Sequence, residues 1–379
     1  MSKPVRQALA CGLFLAFCAA DIAAHPRPRV VGEGSVLATI PQEAAYCAGQ
    51  LGCNGGYPEG VAVVDDRVYV TGPATFGTAG KGPSLVTVIR KSTGRRLAEI
   101  PIVGENTAFE HALSGIAPDH KGNVYVLSTQ LGVVRITRRG RSYTQTSYAT
   151  AMPHLPICTV GGALPCSPTP VDLPPLANEM TFDDDGWLYV TDSLQATIFR
   201  VPPGGGTPEP WFQSPLLAGN LGAPLPFGTN GIKVSPDRDY LYVVETFDPT
   251  DARRGHVYRI PLVDQPDPAA IERFATFPNS EVPDSLVFGK SGRLYVSLAG
   301  SNQIAMLDED GAEITRISGP VGSPIPFDGP ATMAFDDASK SLLVANHAIF
   351  GNPANWAVLR VVVDEKGDPY PGRVHHRRH

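Results

Sequence analysis

The stretch NEMTFDDDGWLYVTDS, residues 178–193, contains a polar pair followed by two short runs with the alternation of β-strands, which are separated by a turn rich in Asp and Gly. This pattern is typical of a β-hairpin. The strands do not need an amide at their start, so Asn178 must be explained in another way. The stretch also recurs, because five further segments repeat the strand, turn and strand pattern with a different residue in the position of Asn178.

The six related segments begin at residues 59, 114, 178, 230, 284 and 331. Further strand patterns, such as TIFRVPPG and HVYRIPLV, lie between them and provide about four strands in each repeat. A four-stranded unit of this length, repeated six times, predicts an all-β, six-bladed β-propeller. The ring would close if SVLATIP (35–41) paired with WAVLRVVVD (356–364), which would cover both exposed strand edges. Two separate β domains are the alternative, although no linker divides the repeats.

The first 24 residues have the features of an export signal. A basic start precedes an apolar stretch, residues 8–20, that is too short to span a bilayer as a mature helix. An uncleaved anchor is the alternative. We therefore predict a signal peptide (1–24), one propeller domain (25–367) and a basic tail rich in His and Arg (368–379), in a protein that is secreted or periplasmic and leaves the membrane after cleavage. The net charge of −6, with interspersed signs, provides no basic face for nucleic acid.

Four cysteines remain after cleavage, and an even number in an exported chain favours disulfide bonds. Closeness in sequence favours the pairs Cys47 with Cys53 and Cys158 with Cys166. A zinc site is the competing interpretation, but these spacings are not those of the usual metal-binding pairs. The second pair would constrain the long, Pro-rich loop 150–175, which we expect at the mouth of the channel, where such loops usually determine specificity.

The residue at the start of each innermost strand should point towards the central channel, so that the six form a ring. In chain order they are Glu59, Ser114, Asn178, Asn230, Asp284 and Ala331. Four of them carry carboxylate or amide oxygens, which hard cations such as calcium prefer, and two carboxylates balance a divalent charge. Each Asn or Asp alone is more simply a turn residue. Their shared position in four repeats favours a metal site.

The segments YPEGVAV, GTNGIKVSPDRDYLYVVET, VPDSLVFGKSGRLYVS and NEMTFDDDGWLYVTDS resemble the motifs of the regucalcin and gluconolactonase (senescence marker protein, LRE-like) family. The resemblance covers roughly residues 55–350 and implies a catalytic divalent cation, usually Ca²⁺, with four ligands: Glu59, Asn178, Asn230 and Asp284. The chain departs from the pattern at two points. Asp-Ser replaces the common Asp-Gly in the fifth motif, and Gly60 stands where the related paraoxonases carry an acid for a second calcium, so we expect one metal.

The resemblance also implies that Asp284 acts as general base or nucleophile. Among the histidines, His347 is the best placed for catalysis, since the second strand of its repeat returns to the face where the first began; a structural imidazole is the alternative. His154 lies in a loop on a plausible approach to the mouth. Contacts with substrate are expected from four further residues: Ser114, His111, Glu245 and Asp192.

The function predicted from these features is that of a calcium-dependent lactonase, in which water or Asp284 attacks the carbonyl group of a small-molecule cyclic ester. A phosphotriester or aryl ester is an alternative substrate for the same metal geometry. A propeller that binds a peptide, glycan or partner protein without catalysis, and a strictosidine-synthase-like protein, are alternatives of a different kind.

Overall fold

The structure is a computed structural model that describes residues 30–41, 56–162 and 165–369. In these residues, 24 strands form six antiparallel sheets of four strands each. The strands are rich in β-branched and aromatic residues, as in LVTVIR and YLYVVE, which suit a pleated surface packed on both faces. The predicted six-bladed β-propeller is therefore confirmed.

The blades follow the chain in order. Blade one contains β2 (Val61–Val64), β3 (Arg67–Gly72), β4 (Leu85–Arg90) and β5 (Arg96–Pro101). Blade two contains β6 (Leu113–Pro118), β7 (Val124–Ser128), β8 (Gly132–Arg139) and β9 (Ser142–Ala149). Blade three contains β10 (Ala177–Phe182), β11 (Leu188–Asp192), β12 (Thr197–Val201) and β13 (Glu209–Gln213).

Blade four contains β14 (Thr229–Val234), β15 (Tyr240–Glu245), β16 (Gly255–Pro261) and β17 (Glu272–Phe277). Blade five contains β18 (Pro283–Phe288), β19 (Leu294–Leu298), β20 (Gln303–Leu307) and β21 (Glu313–Ile317). Blade six contains β22 (Pro330–Asp336), β23 (Ser341–Asn346), β24 (Ala357–Val362) and, from the other end of the chain, β1 (Gly34–Thr39). Within the part of the chain that the structure describes, three short 3-10 helices lie in loops, at Pro215–Leu217, Pro268–Ala270 and Pro353–Asn355.

The ring closes as the sequence predicts, because β1 pairs antiparallel with β24. Six clusters of buried apolar side chains fill the spaces between neighbouring blades, including the space between blades six and one. Full burial of each Val, Leu or Phe contributes about 1.5–3 kcal/mol. Since the core is continuous around the ring, the blades support one another as a single unit.

A β-bulge surrounds the channel-facing position in five blades. In blade three, for example, the register between β10 and β11 shifts between Ala177 and Met180, and blades two, four, five and six show the same shift. A bulge redirects a side chain at the end of a ladder. Close packing between blades explains why a glycine, Gly231, follows Asn230. A Cβ at this position would lie only 2.6 Å from Cα of Ser285 in the next blade.

At the opposite face, the chain after β24 crosses from blade six to blades five and four. Glu365 accepts a hydrogen bond from Ser291 Oγ at 2.6 Å, and Arg238 contacts Asp368 at 2.7 Å. Residues 368 and 369, which begin the predicted tail, thus pack against blade four. No helix in the described residues is long and apolar enough to cross a membrane.

Cys158 and Cys166 form a disulfide bond, as predicted, with a Cα–Cα distance of 4.9 Å. The predicted pair Cys47 and Cys53 lies outside the described residues, as does the predicted signal peptide. The loop held by the disulfide packs on blade three, where Gln195 Oε1 accepts a hydrogen bond from the backbone N–H of Leu155.

Candidate active site

A cavity of about 620 Å³ lies at the end of the channel where the innermost strands begin. Its wall includes all four predicted metal ligands, Glu59, Asn178, Asn230 and Asp284. These residues come from blades one, three, four and five, and they share one position in the repeat. Three further predicted residues also line the cavity: Ser114, His111 and His347.

The two amides of the ring are held by hydroxyl groups of the same blade. Asn178 Nδ2 donates to Ser193 Oγ at 2.9 Å, and Asn230 Nδ2 donates to Thr246 Oγ1 at 3.1 Å. Ser193 Oγ in turn donates to the carbonyl oxygen of Thr229 at 2.7 Å, so its lone pair is directed at the amide nitrogen. Both amides therefore keep Oδ1, the atom that can ligate a hard cation, available.

The two carboxylates of the ring are buried, and the charge of Glu59 acts on Asp284. Burial, followed by the charge of Glu179, raises the pKa of Glu59 to about 8. Burial, followed by the charge of Glu59, raises the pKa of Asp284 well above its usual value. Asp284 Oδ1 is buried and has no hydrogen-bond partner in the described structure. Two buried carboxylates and two amide oxygens around one cavity fit a hard divalent cation, because such an ion would offset the like charges and satisfy Oδ1.

His347 comes from blade six, where the ring position is occupied by the small Ala331. Its Nδ1 lies 3.0 Å from Glu59 Oε2 of blade one, and its Nε2 lies 2.8 Å from the carbonyl oxygen of Ala74. Burial lowers the pKa of His347, which favours the neutral imidazole. Contacts at both nitrogens therefore hold the imidazole of His347 at the cavity wall.

Glu179, the second residue of the polar pair, points into the channel beneath the ring. It is 2% exposed, forms an ion pair with Lys233 of blade four, and accepts a hydrogen bond from Ser285 Oγ of blade five at 2.8 Å. The two residues of the polar pair thus have different roles. Asn178 faces the cavity, whereas Glu179 contacts blades four and five from blade three. The Lys233 ammonium also balances the Glu179 charge inside the channel.

The structure does not bring two of the predicted substrate contacts to the cavity wall. Asp192 and Glu245 are both 0% exposed and do not line the cavity. Asp192 instead accepts hydrogen bonds from the backbone N–H groups of Leu176, Leu194 and Gln195. Successive strand residues point to opposite faces. The side chain beside the ring of predicted metal ligands is therefore that of the following residue, which is Ser193 after Asp192 and Thr246 after Glu245.

The other predicted contacts differ in their availability. Ser114 lines the cavity, but its Oγ donates to the carbonyl oxygen of Ala177 at 2.9 Å. His111 places Nδ1 at 2.9 Å and Nε2 at 2.8 Å from the carbonyl oxygens of Phe109 and Gly82, so its ring is fixed by backbone. The exposed His154 contacts Asp172 and lies outside the cavity wall.

The loop 150–175 was expected at the mouth, but none of its described residues lines the cavity. Sequence reasoning also missed Ser193, Thr246 and the role of Glu179. One signal was present in the sequence: the second strands of blades three, four and six are followed by Ser, Thr and His in YVTDS, YVVET and LVANH.

Comparisons with known proteins agree with this architecture. Residues 227–345 match the family model described as "SMP-30/Gluconolactonase/LRE-like region". No curated protein sequence matches the chain. Solved structures with a similar fold include a calcium-binding protein, regucalcin, from Agrobacterium tumefaciens, at 18% identity and a TM-score of 0.56 over 89% of this chain and 96% of that chain.

A gluconolactonase from Xanthomonas campestris is similar at 16% identity and a TM-score of 0.53, over 88% of this chain and 98% of that chain. A luciferin-regenerating enzyme is similar at 15% identity and a TM-score of 0.54, over 84% of this chain and 94% of that chain. The family resemblance indicated by the sequence is thus confirmed: the chain carries an SMP-30/gluconolactonase/LRE-like region within a six-bladed β-propeller.

Proposed function

We propose that this protein is an exported, metal-dependent hydrolase of lactones or related esters. The observation that carries the proposal is the ring of Glu59, Asn178, Asn230 and Asp284 around one cavity, with two buried carboxylates and an unpartnered Asp284 Oδ1. The family match and the gluconolactonase fold relative support the same reaction class. The predicted export signal and the Cys158–Cys166 disulfide support a secreted or periplasmic location.

The four ring residues would hold a divalent cation, most simply Ca²⁺ since all the available ligand atoms are oxygens. When bound, such a cation supplies Lewis-acid polarisation of a carbonyl oxygen and lowers the pKa of bound water. The chain itself supplies the groups that can accept a proton from the attacking water: the carboxylate of Asp284 and Nδ1 of His347, both at the cavity wall. A carboxylate at Asp284 can alternatively attack the carbonyl carbon itself, so that the ester C–O bond breaks and a mixed anhydride forms, which water then hydrolyses to release the hydroxy acid and regenerate the carboxylate.

The wall above the ring favours a substrate with an apolar substituent. Partly exposed side chains of Leu225, Phe227, Phe247 and Ile349 line it, and Phe350, which is 78% exposed, stands at the rim. Burial of an alkyl chain or an aromatic ring against these side chains removes apolar surface from water.

The acidic side chains on the wall outside the ring are already occupied by the protein. Glu110 accepts hydrogen bonds from the backbone N–H groups of Gly77 and Thr78, and Asp328 accepts from Asn352 N and Asn355 Nδ2. A sugar lactone needs partners for several hydroxyl groups, whereas an alkyl lactone or aryl ester does not. We therefore place the substrate among the apolar lactones and esters.

The test is a hydrolysis panel on the purified mature protein, with an alkyl-substituted lactone, an aryl ester, a phosphotriester and gluconolactone, each with Ca²⁺ and with a chelator. We expect calcium-dependent hydrolysis of the alkyl lactone, with a loss of about 10²–10⁴-fold in kcat for Asp284→Asn. Phe247→Ser should lower kcat/KM for the alkyl lactone about 10-fold and leave gluconolactone unaffected.

The possible results separate the reaction from the substrate class. Hydrolysis of gluconolactone in preference to the alkyl lactone would overturn the apolar substrate and keep the hydrolase. Absence of hydrolysis across the whole panel, with Ca²⁺ bound, would overturn the hydrolase and favour a propeller that binds ligands without catalysis.

A further inference from the structure

A second group of ligand atoms lies at the outer side of blade four, apart from the ring. Glu245, at the end of β15, is the cross-strand partner of His256 on β16, which in turn is the cross-strand partner of Thr276 on β17. Asp248 reaches the same point from the connection between β15 and β16. One ligand atom from each of Glu245, Asp248 and His256 lies within 4.8 Å of the other two.

Glu245 has no hydrogen-bond partner inside the described structure. The residue is 0% exposed, and both of its carboxylate oxygens are buried and unpartnered. Burial, followed by the charge of Asp248, raises its pKa to about 9. Protonation would not give Glu245 a partner, because a carboxylic acid still needs a hydrogen-bond acceptor for its proton. Each form of this side chain therefore requires a ligand or a buried water.

Polar side chains at the position of Glu245 in other blades form hydrogen bonds with the protein. Asp192 in blade three accepts hydrogen bonds from three backbone N–H groups, and Asn346 in blade six donates to the carbonyl oxygens of Pro326 and Asn355. Ser128 in blade two donates to Glu105. Among these polar residues Glu245 is the exception, and its carboxylate faces His256 instead of loop backbone: Oε2 lies 4.0 Å from Nε2.

The neighbouring groups are already oriented towards this point. His256 Nδ1 lies 3.0 Å from Thr276 Oγ1, which leaves Nε2 facing Asp248 Oδ2 at 2.8 Å. Asp248 Oδ1 accepts hydrogen bonds from the backbone N–H and the hydroxyl of Thr250, so the carboxylate is fixed with Oδ2 inward. Outer hydrogen bonds of this kind orient metal ligands in known sites.

We propose that Glu245, Asp248 and His256 form a second cation site, which takes a divalent transition ion such as Zn²⁺. An imidazole with two carboxylates suits such an ion, whereas the all-oxygen ring of the channel suits Ca²⁺. The charge balance permits a cation: Arg273 on β17 is the positive group that acts on both Glu245 and His256, and it offsets one of the two carboxylates.

An ion at this position would fix the connection between β15 and β16. That connection contributes Phe247 and Ala252 to the cavity wall, on either side of Asp248. The site would therefore stabilise one wall of the cavity from outside without contacting the substrate. The proposal does not depend on the reaction that the cavity performs.

The test measures zinc per chain by mass spectrometry after equilibrium dialysis of the full-length protein against micromolar Zn²⁺ with excess Ca²⁺. Since the histidines of the C-terminal tail can also bind zinc, the parent is compared with a variant that carries His375→Ala, His376→Ala and His379→Ala. We expect this tail variant to retain one equivalent of zinc. Glu245→Gln or His256→Gln, each in that background, should lose it, while Asp284→Asn should not.

Zinc X-ray absorption of the tail variant provides a second measurement that does not need the substituted proteins to fold. One imidazole nitrogen with oxygen ligands is the expected coordination. Unchanged zinc content in folded Glu245→Gln and His256→Gln, or a tail variant that binds no zinc, would overturn the site and assign a buried water to Glu245.

Discussion

Nδ1 of His347 in blade six lies 3.0 Å from Oε2 of Glu59 in blade one, across the junction where the ring closes. The other nitrogen, Nε2, lies 2.8 Å from the carbonyl oxygen of Ala74. A carbonyl oxygen can only accept a hydrogen bond, so Nε2 carries the proton and donates it. In the neutral imidazole favoured by burial, Nδ1 carries no proton, so the proton in its contact with Glu59 belongs to the Glu59 carboxyl group, whose pKa burial raises to about 8. When a cation holds Glu59 as a carboxylate, Nδ1 is a proton acceptor at the cavity wall.

The first prediction concerns this nitrogen. His347→Gln should lower kcat for the preferred lactone about 10²–10⁴-fold, the usual contribution of a positioned general base. Affinity for Ca²⁺, measured by calorimetry, should fall by no more than about 10–100-fold, because the four ring oxygens remain and only the contact that orients Glu59 changes. His111→Gln is the matched control, since His111 also lines the cavity but both of its ring nitrogens contact backbone carbonyl oxygens.

The control should lose thermal stability and keep kcat. If His347→Gln instead keeps kcat and only lowers the melting temperature, the imidazole is structural.

The second prediction concerns the hydroxyl groups that hold the ring amides. Ser193→Ala and Thr246→Val should each weaken Ca²⁺ binding about 10–100-fold, because the loss of a group that orients a ligand costs affinity without removing a ligand atom. Without calcium, the melting temperature of Thr246→Val should remain close to that of the parent. Ser193→Ala should lower the free energy of unfolding by about 0.5–1.5 kcal/mol, because Ser193 Oγ also donates to the carbonyl oxygen of Thr229.

Thr129→Val is the control for this pair. Thr129 occupies the same repeat position in blade two, where the ring residue is Ser114 and the Thr129 hydroxyl accepts a hydrogen bond from the backbone N–H of Ala112. Its substitution should leave calcium affinity unchanged. Equal losses in all three variants, measured by calorimetry, would show that the hydroxyls act on the fold and not on the ligands.

The sequence predicted the repeat, the ring closure and the position of the four ring residues, because each of these depends on a pattern that recurs at a fixed spacing. At the ends of the second strands it selected Asp192 and Glu245 as substrate contacts, whereas the residues beside the ring amides are the next ones, Ser193 and Thr246. A shift of one residue moves a strand side chain to the other face. The bulges that redirect the ring residues are not evident from alternation alone.

Side-chain contacts between different blades could not be predicted from the sequence either. Glu179 and Lys233 are 54 residues apart, and no local pattern indicates that they form an ion pair inside the channel. The same holds for His256, which is unremarkable in HVYRIPLV and acquires its importance only beside Glu245 and Asp248.

The third prediction concerns an ion pair at the ring closure. Lys91, in the turn after β4 of blade one, contacts the buried Asp336 of blade six at 2.9 Å. Burial opposes ionisation of Asp336, but the hydrogen bond from Ser339, the ion pair with Lys91 and the charge of Arg360 outweigh it, so its pKa lies below the usual value. Lys91→Met should therefore lower the free energy of unfolding at pH 7, by about 1.5–3 kcal/mol.

The pH dependence follows from the direction of this shift. A carboxyl group whose pKa is lower in the folded state stabilises the fold fully above its unfolded pKa, near pH 4, and loses that contribution as the pH falls through the folded pKa. Denaturant titrations should show the parent and Lys91→Met converging below pH 4. Lys340→Met, which removes an exposed pair with Asp364 in the same blade, should cost only about 0–1 kcal/mol at pH 7. A difference between parent and Lys91→Met that persists undiminished in acid would mean that Lys91 stabilises the closure through its alkyl chain and not through its charge.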